Sequence, residues 1–211
     1  MTNPSPQRAK RKDIIGMPEF EAMVVRASTL PFFFSIRLTA LLCLLRLTGK
    51  RRGEISKLET QDFDVQPSLI QVTFTLEKKR RGSVMSHRVT KGLPLNDPLT
   101  APILEYLNHL RGLDPVPKYF FPSGHAVFGA GYIIEGDHHL TGRMILNLVR
   151  QVSDNAWPHL FRETAGAEII KKDPTIIGVF KVKQRLDHED LKTSMGYLQR
   201  YAVDVIDREE K

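Results

Sequence analysis

RLDHEDLKTSMGYLQRY, residues 185–201, decides how this chain is read. It sets His188 nine residues before Tyr197. Nine residues of unbroken helix make about two and a half turns, which would leave the two side chains on opposite faces. The segment HEDLKTSMGY is therefore expected to bend, returning the tyrosine to the histidine's side. Upstream, HLFRETAGAEII at 159–170 supplies His159 and Arg162. At i and i+3 they share one helix face and can point at one ligand. Much earlier, TGKRRGEISKLETQDFD at 48–64 supplies Arg51. Each piece alone is ordinary, since an HxxR pair arises by chance and a lone histidine is more often a satisfied core or surface group. Together the residue types suit metal-free phosphodiester cleavage. Two arginines hold a phosphate, a histidine handles protons and the tyrosine attacks.

Composition sets the frame. The chain has 211 residues, is 41% hydrophobic and carries a formal charge of +7 with a pI near 9.6. That length suits one or two domains with an ample core. A basic balance raises the odds of a polyanionic partner, nucleic acid first. The lone cysteine, Cys43, lies in the apolar run LTALLCLL and reads as a buried thiol. It excludes an intramolecular disulfide or a cysteine-based metal site, which fits a reducing interior. LPFFFSIRLTALLCLLRLT at 30–48 has the apolarity of a membrane span, but Arg37 and Arg46 interrupt it, so it reads as a central buried helix. Residues 1–13 read as a flexible basic tail, and 14–211 as one domain.

Periodicity predicts a first helix at 18–28 with Pro18 at its start, and a second at 32–47 ending at Gly49. A short helix follows at 51–58. LIQVTFTLE at 69–77 alternates, placing Ile70, Val72, Phe74 and Leu76 on one face. SHRVTKGLPL at 86–95 reads as the returning strand across the basic turn KKRRGSV. Helical patterns return at 98–112, 139–154, 159–171, 174–185 and 197–207. The fold class is mainly α with a small antiparallel β-sheet.

The three boxes, in this order and spacing, resemble the catalytic domain of tyrosine recombinases, the integrase family of phages, mobile elements and Xer-type resolvases. TGKRRGEISKLETQDFD corresponds to the first box: a turn glycine stands two residues before the catalytic arginine, Arg51, and a supporting glutamate, Glu54, three residues after it. Asp62, Phe63 and Asp64 close the box. HLFRETAGAEII corresponds to the second box with His159 and Arg162, and RLDHEDLKTSMGYLQRY to the third with His188 and the nucleophile Tyr197. The family also carries a lysine in the hairpin after the first box. Lys78 fits that position best, with Lys79 the close alternative and Lys91 more distant. The chain departs from the family at Asp187, where glycine is usual, at Gly196, where arginine is frequent, and at Glu163, where histidine often follows the box-two arginine. Gly196 is expected to loosen its segment.

The resemblance implies two successive transesterifications with no cofactor and no metal. Tyr197 attacks a DNA phosphate, forming a 3′-phosphotyrosyl link and freeing a 5′-hydroxyl, and a partner strand's hydroxyl reverses the step. A free tyrosine has a pKa of ~10, so about one in a thousand is ionised at pH 7. Arg51 and Arg162 are expected to bind the non-bridging oxygens, His159 to accept the Tyr197 proton, His188 to donate to the phosphate and Lys78 to protonate the leaving oxygen. Tyr201, one turn beyond Tyr197, is the decoy nucleophile. The implied partner is double-stranded DNA, as an inverted-repeat site, with self-association to a tetramer on it and no membrane; the implied location is cytoplasmic, associated with DNA. Residues 198–211 are a candidate docking helix through Leu198, Ala202, Val203 and Ile206. Typical members carry an N-terminal DNA-clamping domain, so the chain reads either as a minimal recombinase, which Met1 favours, or as an excised catalytic fragment. The rival readings are a type IB topoisomerase, a non-catalytic DNA-binding regulator on the same fold, and, more remotely, a metal-dependent nuclease using Asp62 and Asp64.

Overall fold

The computed structural model describes residues 14–80, 83–127 and 131–202. The basic tail at 1–13 and the end of the candidate docking helix, with Val203 and Ile206, lie outside the described residues.

Helix α2 (Phe32–Thr48) is the axis of the molecule. From Ile36 to Thr48 nearly every side chain is buried, so this part of the apolar run at 30–48 is covered by protein on nearly all sides, while Phe32 near its start is exposed. Its two arginines are absorbed in different ways. Arg46 donates to the carbonyl of Ile15 at 2.9 Å and pairs with Glu168. Arg37 lies among the rings of Phe33, Phe34 and Tyr132. Among the described residues no helix is long and apolar enough to cross a membrane. Cys43 is buried within α2, where desolvation and then Asp97 push its thiol up to about 12.

Helices α1 (Met17–Ser28) and α4 (Ala101–Arg111) pack on α2. After α3 (Arg52–Ser56) comes a three-stranded antiparallel sheet, β1 (Phe63–Val65), β2 (Leu69–Arg80) and β3 (Ser83–Pro94), in that spatial order. Ile70, Val72, Phe74 and Leu76 all face the core, as their alternation requires. The hairpin runs longer than the apolar alternation alone marks, with Lys78 opposite Met85 in register. A second hairpin, β4 (Pro122–Val127) and β5 (Gly131–His139), has no strong strand signature in PSGHAV and GYIIEGDHH. Glycines and polar residues dilute the β pattern there.

The C-terminal half is helical: α5 (Gly142–Val152), α6 (Pro158–Lys172), α7 (Ile176–Leu186) and α8 (Leu191–Tyr201). The last three enclose a second apolar cluster containing Ala165, Ala167, Ile170, Val179, Val182, Leu186, Tyr197 and Tyr201. Helix α8 begins six residues earlier than its expected start at 197 because Asp190 caps it, accepting from the Lys192 amide at 2.8 Å. Its last turn packs inward: Leu198 joins the cluster and Ala202 is buried.

Candidate active site

The site forms where three chain segments meet the buried helix α6. The first is the end of α2. Gly49 takes φ 61, and a Cβ there would stand 2.8 Å from Leu186 Cδ2 and 3.2 Å from Ala165 Cβ. Only glycine suits both the left-handed backbone and the close approach of α6 and α7. The chain then turns so that Arg51 caps α3. Glu54 accepts from the Arg51 amide at 3.0 Å and pairs with its guanidinium at 2.9 Å, leaving the Arg51 side chain 54% exposed. Glu54 thus aims an arginine that remains open to a ligand.

Arg162, on α6, is buried. Its Nη1 donates to the carbonyl of Gly49 at 2.9 Å, and its Nη2 donates to the carbonyl of Leu186. One guanidinium therefore joins the end of α2 to the end of α7, and with them the segments that carry Arg51 and His188. Burial, then the charge of Arg51, disfavours Arg162's cation. His188 is buried too, and its Nδ1 is hydrogen-bonded to Ser194 Oγ at 2.8 Å. Burial, then Arg162 and Arg51, bring its pKa down to about 4. Two arginines that repel one another, beside the neutral imidazole of His188, are relieved by an anion, and a phosphate diester is of the right charge.

The turn between His188 and Tyr197 lies before α8, at 187–190, rather than within the helix. The two rings stand 5.8 Å apart, centroid to centroid. Tyr197 is only 3% exposed. Its ring lies against Gly166 of α6, where a Cβ would stand 2.2 Å from Cε1, and its hydroxyl donates to Glu163 Oε1 at 3.2 Å. Burial and then the Glu163 carboxylate push its phenol well above the usual tyrosine range. His159, 64% exposed, sets Nε2 3.2 Å from the same Glu163 oxygen. Arg200 Nη1 lies 3.1 Å from the other oxygen, with its guanidinium over the Tyr197 ring. Tyr201 is buried one turn on, its ring 6.1 Å from that of Tyr197.

Arg51, Arg162, His188 and Tyr197 are thus brought together, and His159 joins them through Glu163. The side chains of Lys78 and Lys79 lie outside the described residues. Lys91, more distant in sequence, reaches in from β3: its Nζ donates to Gln184's carbonyl and to Asp187 Oδ1, each at 2.9 Å. Asp187 takes the left-handed backbone expected of a glycine, φ 52, and turns its carboxylate away from the site onto Lys91 and onto the buried Lys50, at 2.5 Å. Asp62 caps the Glu59 amide and pairs with Arg88 at 2.7 Å, a structural use. Among the described residues no group of three or more His, Cys, Asp or Glu is placed to hold a metal ion.

Glu163, Arg200 and Gly166 were not legible as site residues. Glu163 had two usable signals, its place directly after the box-two arginine, where histidine is frequent, and its i,i+4 spacing from His159.

Three solved structures share this architecture. XerA recombinase superposes with a TM-score of 0.61 at 19% identity, over 90% of this chain and 61% of that one. XerH site-specific recombinase bound to its difH substrate, in a pre-cleavage complex, gives 0.59 at 16% identity, over 92% and 52%. Its post-cleavage complex on a palindromic difH substrate gives 0.57 at 14%, over 93% and 52%. The chain thus spans about half to three-fifths of the length of these recombinases. No curated protein sequence matches it significantly. At these identities the likeness establishes the fold. The sequence pattern of the phage integrase family, however, matches residues 19–203. The chain belongs to the phage integrase family.

Proposed function

We propose that this chain cuts and rejoins DNA as a site-specific tyrosine recombinase, through a 3′-phosphotyrosyl intermediate. The observation that carries the reading is Arg162, which ties the end of α2 to the end of α7 and so brings the segments of Arg51 and His188 beside Tyr197. Arg51 and Arg162 hold the non-bridging oxygens and stabilise charge on the pentacoordinate phosphorus. His188 donates to the phosphate, Tyr197 attacks, and Lys78 protonates the departing 5′-oxygen. The broken bond's energy is kept in the protein–DNA link, so rejoining needs no nucleotide. Recombination of two duplexes takes four cuts, so four protomers gather on an inverted-repeat DNA, in the cytoplasm where that DNA lies. The XerH structures, solved on their own DNA substrates, are consistent with a duplex partner.

The test is covalent trapping. The full chain is mixed with a pool of nicked duplexes of randomised sequence, denatured, and the DNA still bound to protein is sequenced. Adducts should form equally well in excess EDTA, and Tyr197→Phe should abolish them while leaving gel-shift affinity nearly intact. Adducts that survive in Tyr197→Phe but vanish in Tyr201→Phe would move the nucleophile. A magnesium requirement for cleavage would overturn the chemistry. Holliday-junction formation on the recovered sites separates strand exchange from simple relaxation.

A further inference from the structure

We infer that Glu163 is the immediate proton acceptor for the Tyr197 hydroxyl, a catalytic role at a residue where the family often carries histidine. The inference rests on the recombinase reading and goes beyond it. The sequence assigned that proton to His159, but in the structure His159 does not hold the hydroxyl. The phenol donates to Glu163 Oε1 at 3.2 Å, and His159 Nε2 binds that same oxygen, also at 3.2 Å. Glu163 therefore stands between the nucleophile and the histidine.

Three further observations fit a placed base rather than an incidental contact. Glu163 is paired by charge on its far side, without hydrogen-bond geometry: Arg200 Nη1 lies 3.1 Å from Oε2, and Arg200 Nε donates to the carbonyl of Gly196 at 3.1 Å, beside the nucleophile. Glu163 and Gly166 are three residues apart on α6, so one face of one helix both receives the hydroxyl and makes room for the ring. Burial would raise the Glu163 carboxyl, but the hydrogen bond from His159 and the charges of Arg200 and His159 outweigh it, so the group is an open carboxylate acceptor.

The step balances. As Tyr197 Oη bonds to phosphorus, its proton passes to Glu163 Oε1. The bond from phosphorus to the 5′-oxygen breaks, and that oxygen takes a proton from the general acid on the leaving side. In the return step the 5′-hydroxyl attacks and returns its proton to the leaving-side group, Tyr197 Oη departs, and Glu163 gives its proton back to that oxygen. The same carboxylate opposes ionisation of the phenol before phosphate arrives, so the proton leaves only as the new bond forms.

The test uses the full chain and duplexes recovered by the covalent trapping described above. Glu163→Gln keeps the shape and a hydrogen bond but cannot take the proton. Adduct formation should fall by about 100-fold, in the range usual for lost general-base catalysis, with gel-shift binding unchanged. A 5′-bridging phosphorothiolate, whose leaving group needs no proton, should not rescue it. Glu163→His should restore the rate to within about tenfold of wild type, since imidazole can also take the proton. A second readout needs no DNA. With ¹³Cζ-labelled tyrosine, the Tyr197 resonance, assigned by its loss in Tyr197→Phe, should titrate above free tyrosine and move down in Glu163→Gln. The charges facing that phenol are Glu163, Arg162 and Arg200, so removing the one anion must favour the phenolate. A Glu163→Gln rate within threefold of wild type, or above it, overturns the inference. So does phosphorothiolate rescue, or a Tyr197 titration unmoved by the substitution. Failure of the wild-type chain to form any adduct would instead sink the recombinase reading.

Discussion

Gly166→Ala isolates the position of the nucleophile from its chemistry. In α6 an added Cβ would stand 2.2 Å from Tyr197 Cε1, 2.5 Å from Cδ1 and 3.0 Å from Cζ. Carbon–carbon contacts settle at ~3.5–4.0 Å, so the ring must retreat by about 1.5 Å. Helix α6 will not yield instead, because Leu160, Phe161, Ala167 and Ile170 fix it in the two apolar clusters. A displacement of ~1 Å at a reacting group costs about 100-fold in rate. Stability should change far less. Overpacking costs ~1–3 kcal/mol, and replacing a mid-helix glycine with alanine returns about 1 kcal/mol. Single-turnover adduct formation, half-site gel shift and thermal melting on the same preparation separate these effects. Cleavage should drop by about 100-fold, with binding retained and a net destabilisation of at most about 2 kcal/mol. Gly196→Ala is the control. It lies on α8, beside the nucleophile, and an added Cβ there meets nothing within 4 Å. It should cleave normally and melt higher. Wild-type cleavage by Gly166→Ala would show that the reacting tyrosine does not pack on α6, and the placement argued for it would fail.

Two other outcomes follow from the charges around the site. Asp187→Asn removes the carboxylate facing the fully buried Lys50 ammonium, which also sits 4.6 Å from the Phe74 ring centre, and should cost about 3 kcal/mol in a denaturant titration. Adding Lys50→Met should recover most of that loss, and a single-variant cost below about 1 kcal/mol would show the pair to be incidental. His188 is held near 4 by burial, Arg162 and Arg51, against about 6.5 unfolded. Above that value both states are neutral and the contribution is complete. As pH falls from there towards 4 the unfolded chain gains a proton that the folded chain refuses, so stability drops across that window. The melting temperature of His188→Asn should fall less steeply over the same range, and parallel curves for the two proteins would contradict the assignment.

Local patterns carried what depends on local physics. The alternation of Ile70, Val72, Phe74 and Leu76 marked a strand, and the burial of α2 followed from its apolar length and the arginines that bar it from a membrane. The spacing of His159 from Arg162 placed both on α6. What stayed hidden is pairwise and distant. Asp187 looked like an acid set beside a phosphate site, yet its partners are Lys50, 137 residues away, and Lys91 on the hairpin. Its left-handed backbone kept the turn that a glycine would make, while the side chain found a buried cation to neutralise. Glu163 looked like a lost histidine, yet it collects Tyr197, His159 and Arg200 on one carboxylate. Both departures have the same logic. A charge introduced into a desolvated site is tolerated only with its counter-charge present, and in a folded chain that counter-charge is a neighbour in space rather than in sequence. A single sequence shows the first member of each pair, and the fold names the second.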